Sequence, residues 1–263
     1  MPLCNLHLIA LNPGTSPREF LSTLRQHSVK VLSQALVVRW MILPTHMSTV
    51  PLLAHNVQWD LLVILDNTCP LPEAVLSQVA ALWSATCGIP SALVKNYTAL
   101  NSTLFNPSSS PTQPALPKTN AESTQKLQLS DELAAYVADL PPEIGAHPVS
   151  MLNLLAFNPG KKEQYQQYGK AFSEKVGARH GGKVKVVGNV VAGEAKEEGW
   201  DEIAYVHYPT LAHFAAMAGD KDYQEVNERY RLGALKDTFI LCTMEIDDHG
   251  RLAGTKQAAN SRL

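Results

Sequence analysis

Leu6-His7-Leu8-Ile9-Ala10-Leu11-Asn12-Pro13-Gly14 is matched 146 residues later by Leu152-Asn153-Leu154-Leu155-Ala156-Phe157-Asn158-Pro159-Gly160. Six of the nine positions are identical: Leu6/Leu152, Leu8/Leu154, Ala10/Ala156, Asn12/Asn158, Pro13/Pro159 and Gly14/Gly160. A second anchor follows in the same order. Gln58-Trp59-Asp60 opens the apolar run 61–65, and Gly199-Trp200-Asp201 opens the run 203–208. Two matched anchors in one order indicate two copies of one unit.

Both copies carry the same pattern of elements. A short apolar strand (4–11, 151–157) ends in Asn-Pro-Gly, where proline fixes φ and glycine permits a positive φ. An amphipathic helix comes next. In the first copy Ser16 is its cap, Pro17 suits its first position and Glu19 its first turn. In the second copy it spans 161–176, with Tyr165, Tyr168 and Phe172 at helical spacing. Two further strands follow (34–43 and 59–65; 183–191 and 201–208). Each third strand leads to a helix (72–86, 209–218) and then to a second helical stretch around Leu93–Leu104 or Tyr223–Tyr230. A fourth strand over 238–246 closes the second copy, and the first shows no counterpart.

This β-α-β-β-α-β order is the ferredoxin-like split unit. The expected fold class is α+β: two ferredoxin-like repeats packed sheet to sheet as a pseudo-dimer. The divisions follow from composition. Residues 1–105 form a degenerate first repeat, 106–129 a Pro/Ser-rich linker, and 130–147 a short linking helix capped by Ser130. Residues 148–250 form the more complete second repeat, and 251–263 a flexible tail.

The chain has 263 residues, 45% hydrophobic and only 17% charged, against a typical ~25%. With 24 acidic and 22 basic residues the net charge is −2, which argues against a nucleic-acid binder. No apolar run is long enough to span a membrane, and no signal peptide is expected. Cys4, Cys69, Cys87 and Cys242 are scattered, so the reading is reduced thiols in a cytoplasmic protein. No metal site is expected. Nucleotide-binding glycine loops, a Gly-x-Ser-x-Gly elbow and a His-Glu-x-x-His motif are all missing from the sequence.

Strand parity nominates a site. In the second strand Leu36, Val38, Trp40 and Ile42 suit the helices, and Arg39 takes the opposite face. Lys185 is its counterpart in the second copy. In the third strand of that copy Ala204 and Val206 suit the helices, and Ile203, Tyr205 and His207 lie opposite. Asn153, Tyr205 and His207 are therefore expected to converge in an inter-sheet cavity, with His7 the counterpart of Asn153. Phe157, Tyr168 and Trp200 are expected to add aromatic lining. His180-Gly181-Gly182 reads either as a helix cap or as a histidine at the pocket mouth. Tyr223, Arg229, Tyr230 and Arg231 share one helical stretch, where the arginines pair with Glu225 and Glu228 or meet an anion in the cavity.

Over about 148–246 the sequence resembles the dimeric α/β-barrel superfamily, in its branch of domains of unknown function. The resemblance is carried by 151–155, Tyr165/Tyr168, Arg179-His180-Gly181-Gly182, Trp200-Asp201, Tyr208-Pro209, Asp222-Tyr223-Gln224 and Arg229/Arg231. The first copy resembles the same fold more faintly, and the whole chain looks like a tandem protein of filamentous-fungal type. The resemblance implies a fold, with 148–250 a dimeric α/β-barrel domain and the two repeats together an intramolecular dimeric α/β-barrel, and it implies a shared cavity, not one activity. The superfamily holds cofactor-independent monooxygenases, haem-binding proteins, isomerases, cyclases and non-catalytic binders.

The resulting expectation is a protein that binds a small apolar or aromatic molecule. As an enzyme it would work without a cofactor, as a monooxygenase, isomerase or cyclase. His207 or His180 would be the base, and Tyr205, Asn153 or Arg229 would stabilise oxyanion charge. A non-catalytic scaffold and a haem protein using His180 or His207 are the alternatives. The partners expected are a small-molecule ligand and a second copy of the chain, with no nucleic acid and no membrane.

Overall fold

The repeated Asn-Pro-Gly explains itself in the computed structural model, which describes residues 1–108, 111–119 and 125–254. Asn12 takes the Gln78 carbonyl through its backbone N–H and the Ser77 carbonyl through Nδ2. Asn158 likewise takes Ala234 through its N–H, and Gly233 and Leu235 through Nδ2. Each asparagine clamps the turn that launches the fourth strand of its own copy. Gly14 and Gly160 then turn the chain at φ 89° and 71°. The Trp-Asp anchor does a matching job. Asp60 accepts the N–H of Leu11, and Asp201 that of Phe157, at 2.7 and 2.8 Å.

The strands are β1 (Leu3–Leu11), β2 (Val31–Ile42), β3 (Leu61–Leu65), β4 (Val79–Gly88), β5 (Val149–Phe157), β6 (Lys183–Ala192), β7 (Glu202–Tyr208) and β8 (Leu235–Glu245). They close one barrel in the order β1-β3-β2-β8-β5-β7-β6-β4, every neighbouring pair antiparallel. Each copy supplies four consecutive strands. The seams between copies are β2–β8 and β4–β6, so the chain closes its own sheet edges. The expected α+β architecture of two ferredoxin-like repeats in an intramolecular α/β-barrel is what the strand pairing shows.

The helices are α1 (Pro17–Gln26), α2 (Val50–Leu53), α3 (Glu73–Leu76), α4 (Ser91–Phe105), α5 (Asp131–Ala138), α6 (Pro142–Gly145), α7 (Lys162–Ala171), α8 (Gly177–Arg179), α9 (Glu194–Glu197), α10 (Leu211–Ala218) and α11 (Lys221–Val226). Two π-helical turns, Phe172–Val176 and Asn227–Leu232, follow α7 and α11. Ser16 and Glu19 form a full capping box on α1, and Ser130 caps α5 through the N–H of Leu133. Positions 109–110 and 120–124 of the expected linker, and 255–263 of the expected tail, lie outside the described residues.

One element is corrected. The helix expected over 72–86 is the single turn α3 followed by strand β4, the missing fourth strand of the first copy. Alternate residues Trp83, Ala85 and Cys87 are buried inside the barrel. Helix-favouring alanines yield there because β4 must pair with both β1 and β6 to close the sheet.

The inter-sheet space is also corrected: side chains fill it. Leu6, Leu8, Leu62, Ile64, Trp83, Leu152, Leu154, Val186, Ile203, Phe239 and Leu241 form one buried cluster there. Trp40, Trp83 and Trp200 each pack edge-on against Phe239. Tyr97 of α4 joins the cluster near the Lys185–Glu245 pair. On the outer face of the first copy, Phe20, Leu21 and Leu24 of α1 pack down on Ile9, Leu61 and Val63 and occupy the space between helix and sheet.

Candidate functional site

The second copy is built differently on its outer face. Only 13 residues separate β3 from β4, but 26 separate β7 from β8 and carry α10, α11 and a π turn. These extra helices wall off a cavity of about 420 Å³, within the usual range for small-molecule sites. Its floor is Met151 and Asn153 of β5, Ala204 and Val206 of β7, and Val184 and Val187 of β6. Its roof is Tyr165, Tyr168 and Gly169 of α7 with Phe172 of the π turn. Tyr208, Phe214, Met217 and Leu127 close one end. Gly169 leaves room in the roof, since a Cβ built there meets nothing within 4 Å.

Aromatic packing sets the roof. The rings run Phe157–Tyr165–Tyr168–Phe172, with centroids 5.2, 5.2 and 6.1 Å apart. The Tyr168 hydroxyl meets that of Tyr223 at 3.3 Å. Burial pushes the hydroxyls of Tyr165, Tyr168, Tyr208 and Tyr223 up, so all four remain protonated at neutral pH.

Two polar groups stand on the floor. Asn153 spends Nδ2 on the carbonyls of Met151 and Ala204, at 3.0 and 3.2 Å, leaving Oδ1 as an acceptor. Donation to an oxyanion, expected of Asn153, is therefore not open to it in this arrangement. Glu202 lies at the cavity edge with its carboxylate 3.0 Å from the Lys162 ammonium. Burial raises the Glu202 carboxyl, Lys162 opposes that, and the neighbouring Asp201 adds to it.

The expected convergence of Asn153, Tyr205 and His207 is corrected by register. Asn153 is the cross-strand partner of Ala204 and shares its outer face, whereas Tyr205 partners Leu152. Tyr205 and His207 thus belong to the barrel side. The Tyr205 hydroxyl bonds that of Thr243 at 2.9 Å, and His207 packs on Phe105. Burial, Lys185 and His213 push His207 down to about 3. Lys185 is fully buried inside the barrel end, paired with Glu245 and ringed by Tyr97, Phe105 and Tyr205. Arg39, its sequence counterpart, faces outward instead. A bulge between Val37 and Arg39 flips the strand parity, and Arg39 pairs with Glu132 at 2.8 Å over the Tyr136 ring. The same flip turns Trp40 toward the barrel.

The remaining candidates are dispersed. His7 is buried on the outer face of β1, with both ring nitrogens unpartnered, and burial pushes it down to about 4. Trp200 is in the barrel core and donates to Glu198 at 2.9 Å. Phe157 abuts Tyr165 behind the roof. His180 is the C-cap of α8 and bonds Asp220 at 2.7 Å. Although its own burial opposes this, the His180 bond, the Asp222 N–H and Arg179 hold the Asp220 carboxyl low. Arg229 is exposed beside Tyr230, whereas Arg231, two residues on, is buried. Of the expected site residues, Asn153 and Tyr168 line the cavity. Tyr165, Glu202 and Tyr208 also line it and were not nominated. Their signal was present in the helical spacing of Tyr165 with Tyr168 and in the parity of Glu202 with Ala204.

Among the described residues no histidine or cysteine lines this cavity, and neither His180 nor His207 is placed to ligate a haem there. Among the described residues no cluster of three His, Cys, Asp or Glu side chains could hold a metal, and no helix is long and apolar enough to cross a membrane.

No protein-family model matches the sequence, and no curated protein matches it. Solved structures do show likeness. A protein of unknown function from Rhodopseudomonas palustris is 27% identical, over 44% of this chain and 94% of its own, with a TM-score of 0.35. A candidate monooxygenase from Lactobacillus acidophilus is 9% identical over 93% of each chain, with a TM-score of 0.46. A second candidate monooxygenase, from Fusobacterium nucleatum subsp. nucleatum, is 11% identical over 95% of this chain and 96% of its own, also at 0.46.

Proposed function

We propose that this protein binds a small, mostly apolar aromatic molecule between the outer face of β5–β7–β6 and α7, and moves a proton on it with Glu202. The observation that carries this reading is the cavity itself: apolar walls, a phenol-lined roof and one half-buried carboxylate whose proton affinity is raised. A carboxylate in such surroundings is suited to take a proton from a C–H or O–H acid. The electron pair stays on the ligand as an enolate or phenolate, beneath protonated tyrosine hydroxyls that can donate to it. Isomerisation returns the proton at a second carbon. Cyclisation and oxygenation share the first step, the latter with dioxygen as co-substrate. The catalytic base moves from the expected histidines to Glu202, because His180 and His207 do not line the cavity.

The test is a thermal-shift and native mass-spectrometry screen with phenols, quinones and lactones, alongside hemin and flavin. Aromatic members should stabilise the wild type. Gly169→Leu adds an apolar side chain at a cavity-lining position whose Cβ meets nothing within 4 Å, and it should abolish that shift while leaving the unliganded protein at least as stable. A shift of unchanged size in Gly169→Leu would place the ligand elsewhere.

A further inference from the structure

Arg231 sits on the π turn after α11, where it is only 2% exposed. Its Nη1 donates to the Gln125 carbonyl at 2.7 Å and to Asn227 Oδ1 at 3.3 Å. Its Nη2 is buried without a partner, and no carboxylate among the described residues pairs with it. A guanidinium taken out of water normally finds a counter-charge, because two neutral acceptors repay only part of its lost hydration. The charge stands beside the Tyr165 hydroxyl and also acts on Tyr168 and Tyr223. Tyr165 and Tyr168 form the cavity roof. Among the described residues, the charged groups lining the cavity are Glu202, already held by Lys162, and Lys170 at the exposed rim. A cation therefore backs the roof, and among the described residues it lacks an anion of its own.

We infer that the molecule bound in this cavity carries an anionic oxygen, a carboxylate or an acidic phenol, and that Arg231 sets this preference from behind Tyr165. The inference rests on the reading of the cavity as a binding site. Tyr165 donates its hydroxyl to the ligand oxygen, and Arg231 polarises that hydroxyl and balances the charge. Arg231 is a positioning residue, since it does not line the cavity. Arg231 follows the buried Asn227 by four residues on one helical face, so it turns in beside the tyrosines while Arg229 on the same stretch stays in solvent.

The experiment is calorimetric titration of the full chain with two matched pairs at mildly alkaline pH. Benzoate is compared with benzamide, and 4-nitrophenolate with 4-nitroanisole. At least one anion should bind about tenfold or more tightly than its neutral partner. The pair that shows the preference distinguishes carboxylate from phenolate. In Arg231→Met the two members should converge to within about twofold while the neutral one keeps its affinity, and Arg231→Lys should restore part of the preference. A role confined to holding the linker at Gln125 would lower stability and leave the ratio unmoved. Should Arg231→Met fail to fold, Tyr165→Phe tests the same relay and should shrink the ratio. Equal affinities in the wild type, or a ratio that survives both variants, would overturn the inference and leave the cavity standing as a neutral-ligand site. If none of the four binds, or if binding persists in Gly169→Leu, the cavity reading fails and takes the inference with it.

Discussion

Two histidines illustrate how burial decides a residue's chemistry. His7 has no hydrogen-bond partner on either ring nitrogen, and His207 lacks one on Nδ1. Their ordinary value of 6.5 falls to about 4 and about 3, in each case chiefly through burial. A depressed folded value means that the unfolded chain binds the proton more readily, so stability is complete above pH ~6.5 and declines as pH falls toward the folded value. Each histidine should cost about 2 kcal/mol between pH 7.5 and pH 5. Urea unfolding at the two pH values measures it, and His7→Phe and His207→Phe should each remove their share of the loss. An unchanged loss in both variants would mean that neither ring is buried neutral. Parity made the polar residues of the strands legible, but it could not say which face was the barrel. Asn153 and Tyr205 alternate as any strand residues do, and only the Asn153–Ala204 register shows that they serve different compartments. Arg39 was misplaced because a bulge leaves no mark in an apolar run.

At the level of elements, propensity and packing part company along α7 and its π extension. Gly169 and Gly177 lie on one continuous helical stretch, and helix propensity alone favours alanine at both. Geometry separates them. A Cβ at Gly169 meets nothing, but one at Gly177 lies 2.8 Å from Phe172 Cε1 and 3.0 Å from its carbonyl oxygen. Gly169→Ala should therefore raise stability by about 0.5–1 kcal/mol. Gly177→Ala should lower it by about 1–3 kcal/mol and disturb the roof through Phe172. Chemical denaturation of the two variants decides the matter, and equal gains would show that the π turn relaxes freely. The asparagine clamps make a parallel claim. Removing the Asn158 side chain frees the carbonyls of Gly233 and Leu235, and Asn158→Ala should cost about 1–2 kcal/mol in the same assay. The clamp itself was visible as a repeat. What it clamps was not, because β4 is rich in alanine and its strand character comes from pairing with β1 and β6. The π turns were equally hidden, and so was the choice between the two arginines, where Arg231 shares the buried face of Tyr223 and Asn227 and Arg229 does not.

For the molecule as a whole, barrel closure was legible because two copies with matched anchors have two sets of edges to satisfy. Where the empty space lies was not legible, because it depends on which copy's helices pack down. In the first copy α1 fills its outer face, and in the second the longer β7–β8 connection holds a cavity open. The barrel interior carries the join between copies instead. Lys185 of β6 and Glu245 of β8 pair there, and Tyr97 and Asn101 of α4 reach Glu245 from the first copy, at 3.5 and 2.8 Å. Removing one charge strands the other in a dry site, so Lys185→Met should destabilise the whole chain by about 3–5 kcal/mol. Removing both leaves no bare charge. Lys185→Met with Glu245→Leu should recover most of that loss, although Asn101 and Ser150 forfeit their acceptor. Equilibrium unfolding followed at two probes tests the coupling: near-ultraviolet signals from the tryptophans around Phe239 and far-ultraviolet signals from the helices. In the single variant both transitions should move together, because the pair bridges both copies through α4. If only one moves, the barrel core and the helices unfold separately and the pair is a local contact. In the double variant, a loss as large as in the single one would mean that the pair itself, rather than the avoidance of a lone buried charge, holds the barrel end.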